Sequence, residues 1–202
     1  MSCTWRVLLS LCLLSMACPE PLQQQGETFA TSLRFSRKIL TRVRNLLFQY
    51  KEQLMGDSQF EDRLTMLRSL PVLGVGYSQW RSMEDKDRLT AAAQDLKVFW
   101  DHLDVKRIQL KEESKRQSST VVTAMQNIQM DLRDLIAQVH SQLQAMNATV
   151  PAPREEEIPS SLMVPTLEWH SKLMGYIILR DLDRYMNKVV RDYILLKVKY
   201  RE

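Results

Sequence analysis

Apolar residues recur every three to four positions in four stretches of the chain, which is the spacing that places side chains on one face of an α-helix. The pattern predicts long amphipathic helices over about residues 28–55, 84–110, 119–147 and 166–200. Gly56 stands where the first of these helices should end, because glycine readily adopts the left-handed conformation of a helix C-cap. We therefore predict an all-α fold.

The lengths of the connections predict how these helices pack. About 27 residues separate the first two helices and about 18 separate the last two, whereas a short segment joins the second to the third. A helix of 25 residues is about 40 Å long, so a parallel neighbour requires a connection that returns along the whole bundle. Long, short and long connections predict a long-chain four-helix bundle with up-up-down-down topology and two long crossover loops.

The amino-terminal segment has a different pattern. Residues 1–17 begin with a single positive charge, continue as a predominantly apolar run of eleven residues, and place Ser15 and Ala17 at positions suited to cleavage. A helix needs about 20 apolar residues to span a bilayer, so this run is too short for a membrane anchor. We predict a signal peptide over residues 1–17 and a secreted, extracellular domain over residues 18–202.

This cleavage determines the cysteine chemistry. Cys3 and Cys12 leave with the signal peptide, and Cys18 remains if cleavage follows Ala17. A single cysteine cannot form an internal disulfide, so the mature domain must be stabilised by core packing. The alternative, in which the amino-terminal run is a buried helix, is disfavoured by the prolines that follow at once.

Composition excludes several classes of protein. The chain has 202 residues, 45% hydrophobic and 26% charged, with a formal net charge of +4, which is typical of a folded domain. Only five glycines are present, and this argues against β-sandwiches and phosphate-binding α/β folds. Basic residues are interspersed with acidic ones, without a dense basic block, so neither nucleic acid binding nor membrane insertion is expected.

Candidate catalytic chemistry is sparse. His102, His140 and His170 have no Cys, His or carboxylate partner at the spacing of a metal-binding motif. The Gly74-Val75-Gly76 segment lacks the third glycine of a dinucleotide-binding loop, and the nucleophile motif of hydrolases is not found. We therefore expect no enzymatic activity, no catalytic or metal-binding residue and no cofactor.

One modification site is predicted. Asn147-Ala148-Thr149 is an N-glycosylation sequon, and it lies at the predicted end of the third helix, where the chain becomes polar and rich in proline. In a secreted protein such a turn is accessible, so we expect Asn147 to be glycosylated.

Two tryptophans lie near predicted helix ends. Trp80 is in a polar, loop-like setting before the second helix, and Trp169 is in the first turn of the fourth. Such a side chain can close the end of a core, or it can anchor a partner, because large aromatic residues dominate interface energies. The residues alone leave both alternatives open.

Short segments along nearly all of the mature chain form an ordered series. They are Ser32-Leu33 with Arg37-Lys38-Ile39-Leu40, Trp80-Arg81 with Asp85 and Arg88-Leu89, Met130-Asp131-Leu132-Arg133-Asp134-Leu135, the acidic Glu155-Glu156-Glu157, and Trp169 followed by Leu173, Leu179 and Leu182. This series resembles the interleukin-27 alpha-subunit family, which are long-chain helical cytokines of the interleukin-6 and interleukin-12 group.

The resemblance implies a signalling ligand. Members of that family pair with a soluble receptor-like beta subunit and bring together type I cytokine receptors, whose cytoplasmic tails bind kinases. By analogy Trp169, supported by Lys172 and Trp80, would bind a glycoprotein 130-like receptor chain at one end of the bundle. The outward faces of the first and third helices would meet a second receptor. The far end of the fourth helix, with the end of the first crossover, would meet the beta subunit.

Two alternatives remain at this stage. Trp169 and Lys172 form an aromatic-x-x-Lys pattern similar to the Phe-x-x-Lys of the leukaemia inhibitory factor and ciliary neurotrophic factor branch, whose members act as stand-alone cytokines. A secreted protein that carries lipid on long amphipathic helices would show the same apolar periodicity.

Overall fold

The computed structural model describes residues 21–72, 74, 76–113, 120–152 and 167–201. The predicted signal peptide, the three cysteines and the acidic tract Glu155-Glu156-Glu157 lie outside the described residues. The described helices are α1 (Pro21–Tyr50), which continues as a π-helical turn (Lys51–Met55), α2 (Tyr77–Ser82), α3 (Asp85–Glu113), α4 (Thr120–Ala145) and α5 (Glu168–Lys199).

The helix bounds differ from the expected ones at two places. The first helix begins at Pro21 instead of near residue 28, and proline suits a first helical turn because its φ angle is preset and no partner is needed for a missing N–H. The short helix α2 lies in the first crossover, where a loop was expected. At the end of the π-helical turn Gly56 has a φ of 75°, the left-handed conformation that its position suggested.

Contacts between helices define their directions. Gly26 near the start of α1 lies against Tyr200 after α5, and the Tyr50 hydroxyl at the end of α1 donates to the Lys172 carbonyl at the start of α5, at 3.0 Å. These two helices are therefore antiparallel. The same argument applies to α3 and α5, because Lys106 late in α3 donates to Ser171 early in α5.

The third long pair completes the topology. Ser32 in the first half of α1 donates to Gln138 in the second half of α4 at 2.7 Å, and Gln142 donates back to Ser32 at 2.8 Å. Hence α1 and α3 run one way, and α4 and α5 run the other way. This arrangement confirms the all-α, up-up-down-down four-helix bundle.

The core is one continuous apolar cluster along the bundle axis, formed by the inward stripe of each long helix. Its centre consists of side chains with almost no exposure, including Leu96, Phe99, Leu132, Leu135, Ile178, Leu182 and Tyr185. Such burial contributes roughly 1.5–3 kcal/mol per large side chain. A core of this kind is therefore a main contribution to the stability of the bundle.

Candidate functional site

Trp169 lies in the first turn of α5 with its side chain 53% exposed. Its indole packs edge-on against the ring of Phe60, with ring centroids 5.8 Å apart. Phe60 in turn packs edge-on against Tyr176, at 4.9 Å. Edge-to-face pairs of this kind stabilise aromatic clusters beyond their area burial. Phe60 and Tyr176 thus form an aromatic floor beneath Trp169, which packs on Phe60 and still exposes about half of its side chain to solvent.

Phe60 belongs to the first crossover, and hydrogen bonds hold this loop against α5. Arg180 donates to the backbone carbonyls of Asp62 and Thr65, at 2.7 and 2.9 Å. It is also paired with the Asp181 carboxylate, at 2.8 Å, and both side chains are almost fully buried. The Asp62 backbone N–H donates to the Tyr176 hydroxyl, at 3.2 Å. These bonds hold the loop against the bundle.

The Asp62 carboxylate stabilises the turn between Asp62 and Thr65, to whose carbonyls Arg180 donates. It accepts hydrogen bonds from the Thr65 hydroxyl and from the backbone N–H groups of Thr65 and Leu64. The hydroxyl bond from Thr65, followed by the backbone bonds, lowers the pKa of Asp62 because each favours the charged form. The turn is thus held by local bonds as well as by α5.

Beneath Trp169 the start of α5 approaches α1 and α3 very closely. A Cβ atom at Gly175 would lie 2.1 Å from the Tyr50 hydroxyl and 2.8 Å from Cε of Lys106, so only glycine fits here. Lys106 is buried and donates to the Ser171 hydroxyl at 2.5 Å. Burial lowers the pKa of Lys106 to about 8, and it raises the pKa of Tyr50 above its usual range.

Lys172 lies one helical turn after Trp169, so the two side chains share a side of α5. Its ammonium pairs with the Glu168 carboxylate at 2.7 Å. The hydrogen bond from Lys172 lowers the pKa of Glu168. The structure therefore brings together Trp169 and Lys172, as the sequence suggested, and adds a carboxylate to them.

The grouping of Trp80 with Trp169 is wrong. Trp80 is 7% exposed and its indole N–H donates to Asp192, at 2.5 Å. Asp192 lies 23 residues after Trp169 on the same helix, which is a separation of about 35 Å along the axis. Trp80 was expected to be a loop residue, but it lies on α2, and its ring packs against Arg88 and Arg191 at the opposite end of the bundle.

That opposite end carries a different kind of surface. Trp80, Arg81 and Met83 form one wall of a groove of about 510 Å³, and the last turns of α5 form the other. Ile194 and Val198 on this part of α5 are exposed apolar side chains. This groove lies where the end of the first crossover meets the far end of the fourth helix of the bundle.

Asn147 lies in the turn that ends α4. Its φ is 53°, its N–H donates to the Gln144 carbonyl, and the Ala148 N–H donates to the Leu143 carbonyl, both at 2.9 Å. This is the hydrogen-bond pattern of a Schellman motif, in which asparagine tolerates the left-handed position. The side chain is exposed.

The histidines play no joint role in the described structure. His102 is buried, with Nδ1 donating to the Val98 carbonyl and Nε2 accepting from the Ser69 hydroxyl, each at 2.8 Å, whereas His140 and His170 are on the surface. Among the residues that the structure describes, no group of three or more His, Cys, Asp or Glu side chains could hold a metal ion. In the same part of the chain no helix is both long and apolar enough to cross a membrane.

Sequence reasoning missed Phe60, Tyr176 and the pair formed by Arg180 and Asp181. The signal for the pair was present, because two charges interrupt the apolar run of α5 between residues 176 and 182. A charged pair at inward positions of a helix indicates buried partners. No comparable signal marks Phe60, which lies in a loop without periodicity.

Comparisons with known proteins agree on one group. The family model described as Interleukin 11 matches residues 19–200. The chain is 24% identical to Cardiotrophin-2 of Mus musculus, over 94% of this chain and 95% of that protein. It is 26% identical to Interleukin-27 subunit alpha of Sus scrofa, over 88% of this chain and 77% of that protein. It is also 26% identical to Interleukin-27 subunit alpha of Homo sapiens, over 87% of this chain and 76% of that protein.

These similarities confirm the resemblance to interleukin-27 alpha subunits that the ordered motifs suggested, and they add a similarity to cardiotrophin-2 that covers more of both chains at a slightly lower identity. Because the family model spans nearly the whole chain, this chain belongs to the Interleukin 11 family, a family of interleukin-6-type helical cytokines.

Proposed function

We propose that this chain is a secreted cytokine subunit that pairs with a soluble receptor-like beta subunit and binds type I cytokine receptors to trigger kinase-coupled immune signalling. The observation that carries the receptor part of the proposal is the half-exposed Trp169 on its rigid aromatic floor. Trp169 and Lys172 are the residues that we assign to a glycoprotein 130-like chain. Trp80 is left out of this contact because it is buried at the other end.

The floor makes Trp169 a favourable anchor for energetic reasons. Its ring is already positioned by Phe60, so a receptor pocket would lose little affinity to side-chain ordering. Its exposed half remains to be desolvated, and Leu167 beside it is a further exposed apolar side chain. Truncating an aromatic hot spot typically costs about 2 kcal/mol or more, which is roughly a 30-fold loss of affinity.

Pairing with a beta subunit is supported by the groove at the far end. Ile194 and Val198 expose apolar surface there, beside Arg81 at the end of the first crossover. Apolar anchors that are rimmed by polar residues are typical of protein interfaces. Two of the relatives are named as subunits, which favours an assembly for this chain as well.

The receptor contact is tested with Trp169→Ala and a matched control, Ile108→Ala. Ile108 is an apolar residue on α3, 44% exposed, near the same end of the bundle as Trp169, and it is not one of the residues assigned to either proposed surface. We expect Trp169→Ala to retain secretion and helix content, measured by circular dichroism, while its affinity for the receptor chain falls about 30-fold. Ile108→Ala should retain affinity. If Trp169→Ala loses its fold to the same degree as its signalling, Trp169 is a core residue and the assignment fails.

The pairing is tested by co-expression with receptor-like beta subunits. We expect higher secretion and a stoichiometric complex, and we expect Ile194→Asp to abolish the complex while Trp169-dependent receptor binding persists. A chain that is secreted alone and signals alone would contradict the pairing.

That outcome would instead support a stand-alone interleukin-6-type cytokine, which the similarity to cardiotrophin-2 and the Trp169-x-x-Lys172 pattern favour. Membership in a cytokine family favours both of these over lipid transport. Clearing of lipid vesicles by the purified chain would support the lipid-carrying alternative.

A further inference from the structure

One helix carries a run of positive charges that no carboxylate interrupts. Between residues 28 and 50, α1 contains no aspartate or glutamate, although evenly interspersed charge was expected. Within this stretch five exposed cations occur in eleven residues, namely Arg34, Arg37, Lys38, Arg42 and Arg44. Ordinary surface helices alternate the two signs of charge, so an uninterrupted run of one sign creates a strong local potential.

Three of these cations lie on the side of α1 that borders α5, namely Arg34, Arg37 and Arg44. Arg44 donates to Asp183 and Asn187 of α5, both at 2.9 Å, and so marks this side. Arg37 is seven residues away and points in nearly the same direction, because two helical turns take about seven residues. From Arg34 to Arg44 the row extends about 15 Å along the helix.

The row continues onto the last turn of α5. Arg34, Lys197 and Arg201 line one cleft of about 270 Å³ between the start of α1 and the end of α5. Gly26 forms part of its floor, where the backbone of Tyr200 lies too close for any side chain on α1. The cleft contains one carboxylate, that of Glu27, and none of the exposed large apolar residues of the described chain lines it.

Internal pairing leaves most of this charge unneutralised. Arg34 has a loose, exposed contact with Glu27 at 3.6 Å, and Arg44 is paired with Asp183. Among the described residues, no side-chain hydrogen bond or ion pair is formed by Arg37, Lys197 or Arg201. Five cations therefore face two carboxylates along one continuous surface.

We propose that this surface, formed by Arg34, Arg37, Arg44, Lys197 and Arg201, binds a sulfated polysaccharide. Guanidinium groups form paired, charge-assisted hydrogen bonds with planar or tetrahedral oxyanions. A helical row of cations presents them at intervals along a line, which suits a linear polymer with regularly repeated sulfates. A protein partner would be expected to find an apolar anchor within the cleft, because interface energy is concentrated in buried aromatic and aliphatic groups. The nearby exposed residues Ile194 and Val198 line the separate groove beside Trp80 and not this cleft.

This surface is far enough from Trp169 for a polysaccharide and a receptor chain to bind at the same time. The cleft lies at the end of α5 opposite to Trp169, about 40 Å away along the helix. A polysaccharide bound there would retain the cytokine at a cell surface while Trp169 stays accessible. The inference does not depend on which receptor Trp169 binds.

The experiment uses heparin as the probe and the secreted full chain, with its beta subunit if the two are secreted together. The triple variant Arg34→Gln, Arg37→Gln, Arg201→Gln is compared with a control that also loses three exposed arginines, Arg63→Gln, Arg68→Gln, Arg133→Gln. Both variants have the same net charge. We expect the first to lose heparin affinity about 10-fold or more at 0.15 M salt, and the control to lose less than threefold.

Several results would overturn the proposal. Equal losses in the two variants would show that net charge alone governs heparin binding. Elution of the unmodified chain from heparin at the same salt concentration as from a simple sulfonate exchanger would show that sulfate geometry is not recognised. If the first variant keeps heparin affinity but loses binding to a receptor protein, the surface belongs to an acidic protein. Trp169→Ala serves as the separate control, because it should retain heparin binding whether or not the receptor assignment holds.

Discussion

Replacement of Gly175 by alanine tests the packing beneath the candidate site. The new Cβ would lie 2.1 Å from the Tyr50 hydroxyl oxygen, 2.7 Å from its Cζ and 2.8 Å from Cε of Lys106. The Tyr50 ring must therefore move, and its hydrogen bond to the Lys172 carbonyl must break or lengthen. The Lys106 stem is flexible and can yield more easily.

The magnitude follows from three opposing contributions. Alanine is favoured over glycine inside a helix by about 1 kcal/mol. Overpacking costs roughly 1–3 kcal/mol, and loss of one neutral hydrogen bond costs about 1 kcal/mol. We expect Gly175→Ala to lower the free energy of unfolding by about 1–3 kcal/mol, although a helix-propensity argument alone predicts stabilisation. Urea unfolding followed by circular dichroism measures it as a lower midpoint at unchanged slope.

The same substitution in a Tyr50→Leu background isolates the cause. Leucine does not reach the position of the tyrosine hydroxyl, so Gly175→Ala should cost at least 1 kcal/mol less there than in the unmodified chain. If the cost is the same in both backgrounds, contact with Tyr50 does not explain the glycine and the reasoning is refuted. A shift in the affinity for the receptor chain that disappears in the Trp169→Ala background would link this packing to the position of Trp169.

Three further predictions concern other parts of the molecule. Asp192→Asn should destabilise the chain by about 3–5 kcal/mol in urea unfolding, because it leaves Arg88 charged and unpaired in the interior, whereas a change in an exposed ion pair should cost less than about 1 kcal/mol. Burial lowers the pKa of Lys106 to about 8, so between about pH 8 and pH 10 the unfolded chain binds more protons than the folded chain. The free energy of unfolding should therefore rise with pH in this range, by at most about 1.4 kcal/mol per pH unit. Lys106→Met should flatten this slope. Thr149→Ala should abolish the mass loss on glycosidase treatment of the secreted protein without altering its stability, and Asn147→Gly should do the same because glycine also accepts the left-handed φ.

The bundle could be predicted from sequence because its signals are local. Apolar periodicity within each long helix and the lengths of the connections were enough for four helices and their directions. The first turn of α5 was recognised in the same way, and with it the neighbourhood of Trp169 and Lys172. Gly175 lies inside a predicted helix, but the reason for a glycine at this position requires the positions of Tyr50 and Lys106.

Trp80 shows what local signals cannot provide. Its neighbours in sequence are polar, so it reads as an exposed loop residue. Its burial depends on Asp192, which is 112 positions away in the chain and accepts the indole N–H. Phe60 is a similar case, because only the folded bundle brings it between Trp169 and Tyr176. The positions of Phe60 and Trp80 were unpredictable because each has a partner on α5, far away in the sequence.

The two ends of that crossover are held by the same physical device. Arg180 donates to two carbonyls near the start of the crossover and pairs with Asp181, and Arg88 donates to two carbonyls near its end and pairs with Asp192. A guanidinium group suits this task because its planar fork of donors reaches carbonyls and a carboxylate at once, which an ammonium group cannot match in geometry. Burying such charges is costly unless they are paired, so these contacts favour one position of the crossover, although Arg88 Nε has no hydrogen-bond partner among the described residues. That position is what distinguishes the ends of the bundle: at one end it places an aromatic floor under an exposed Trp169, and at the other it buries tryptophan and leaves the apolar groove beside it open to a partner.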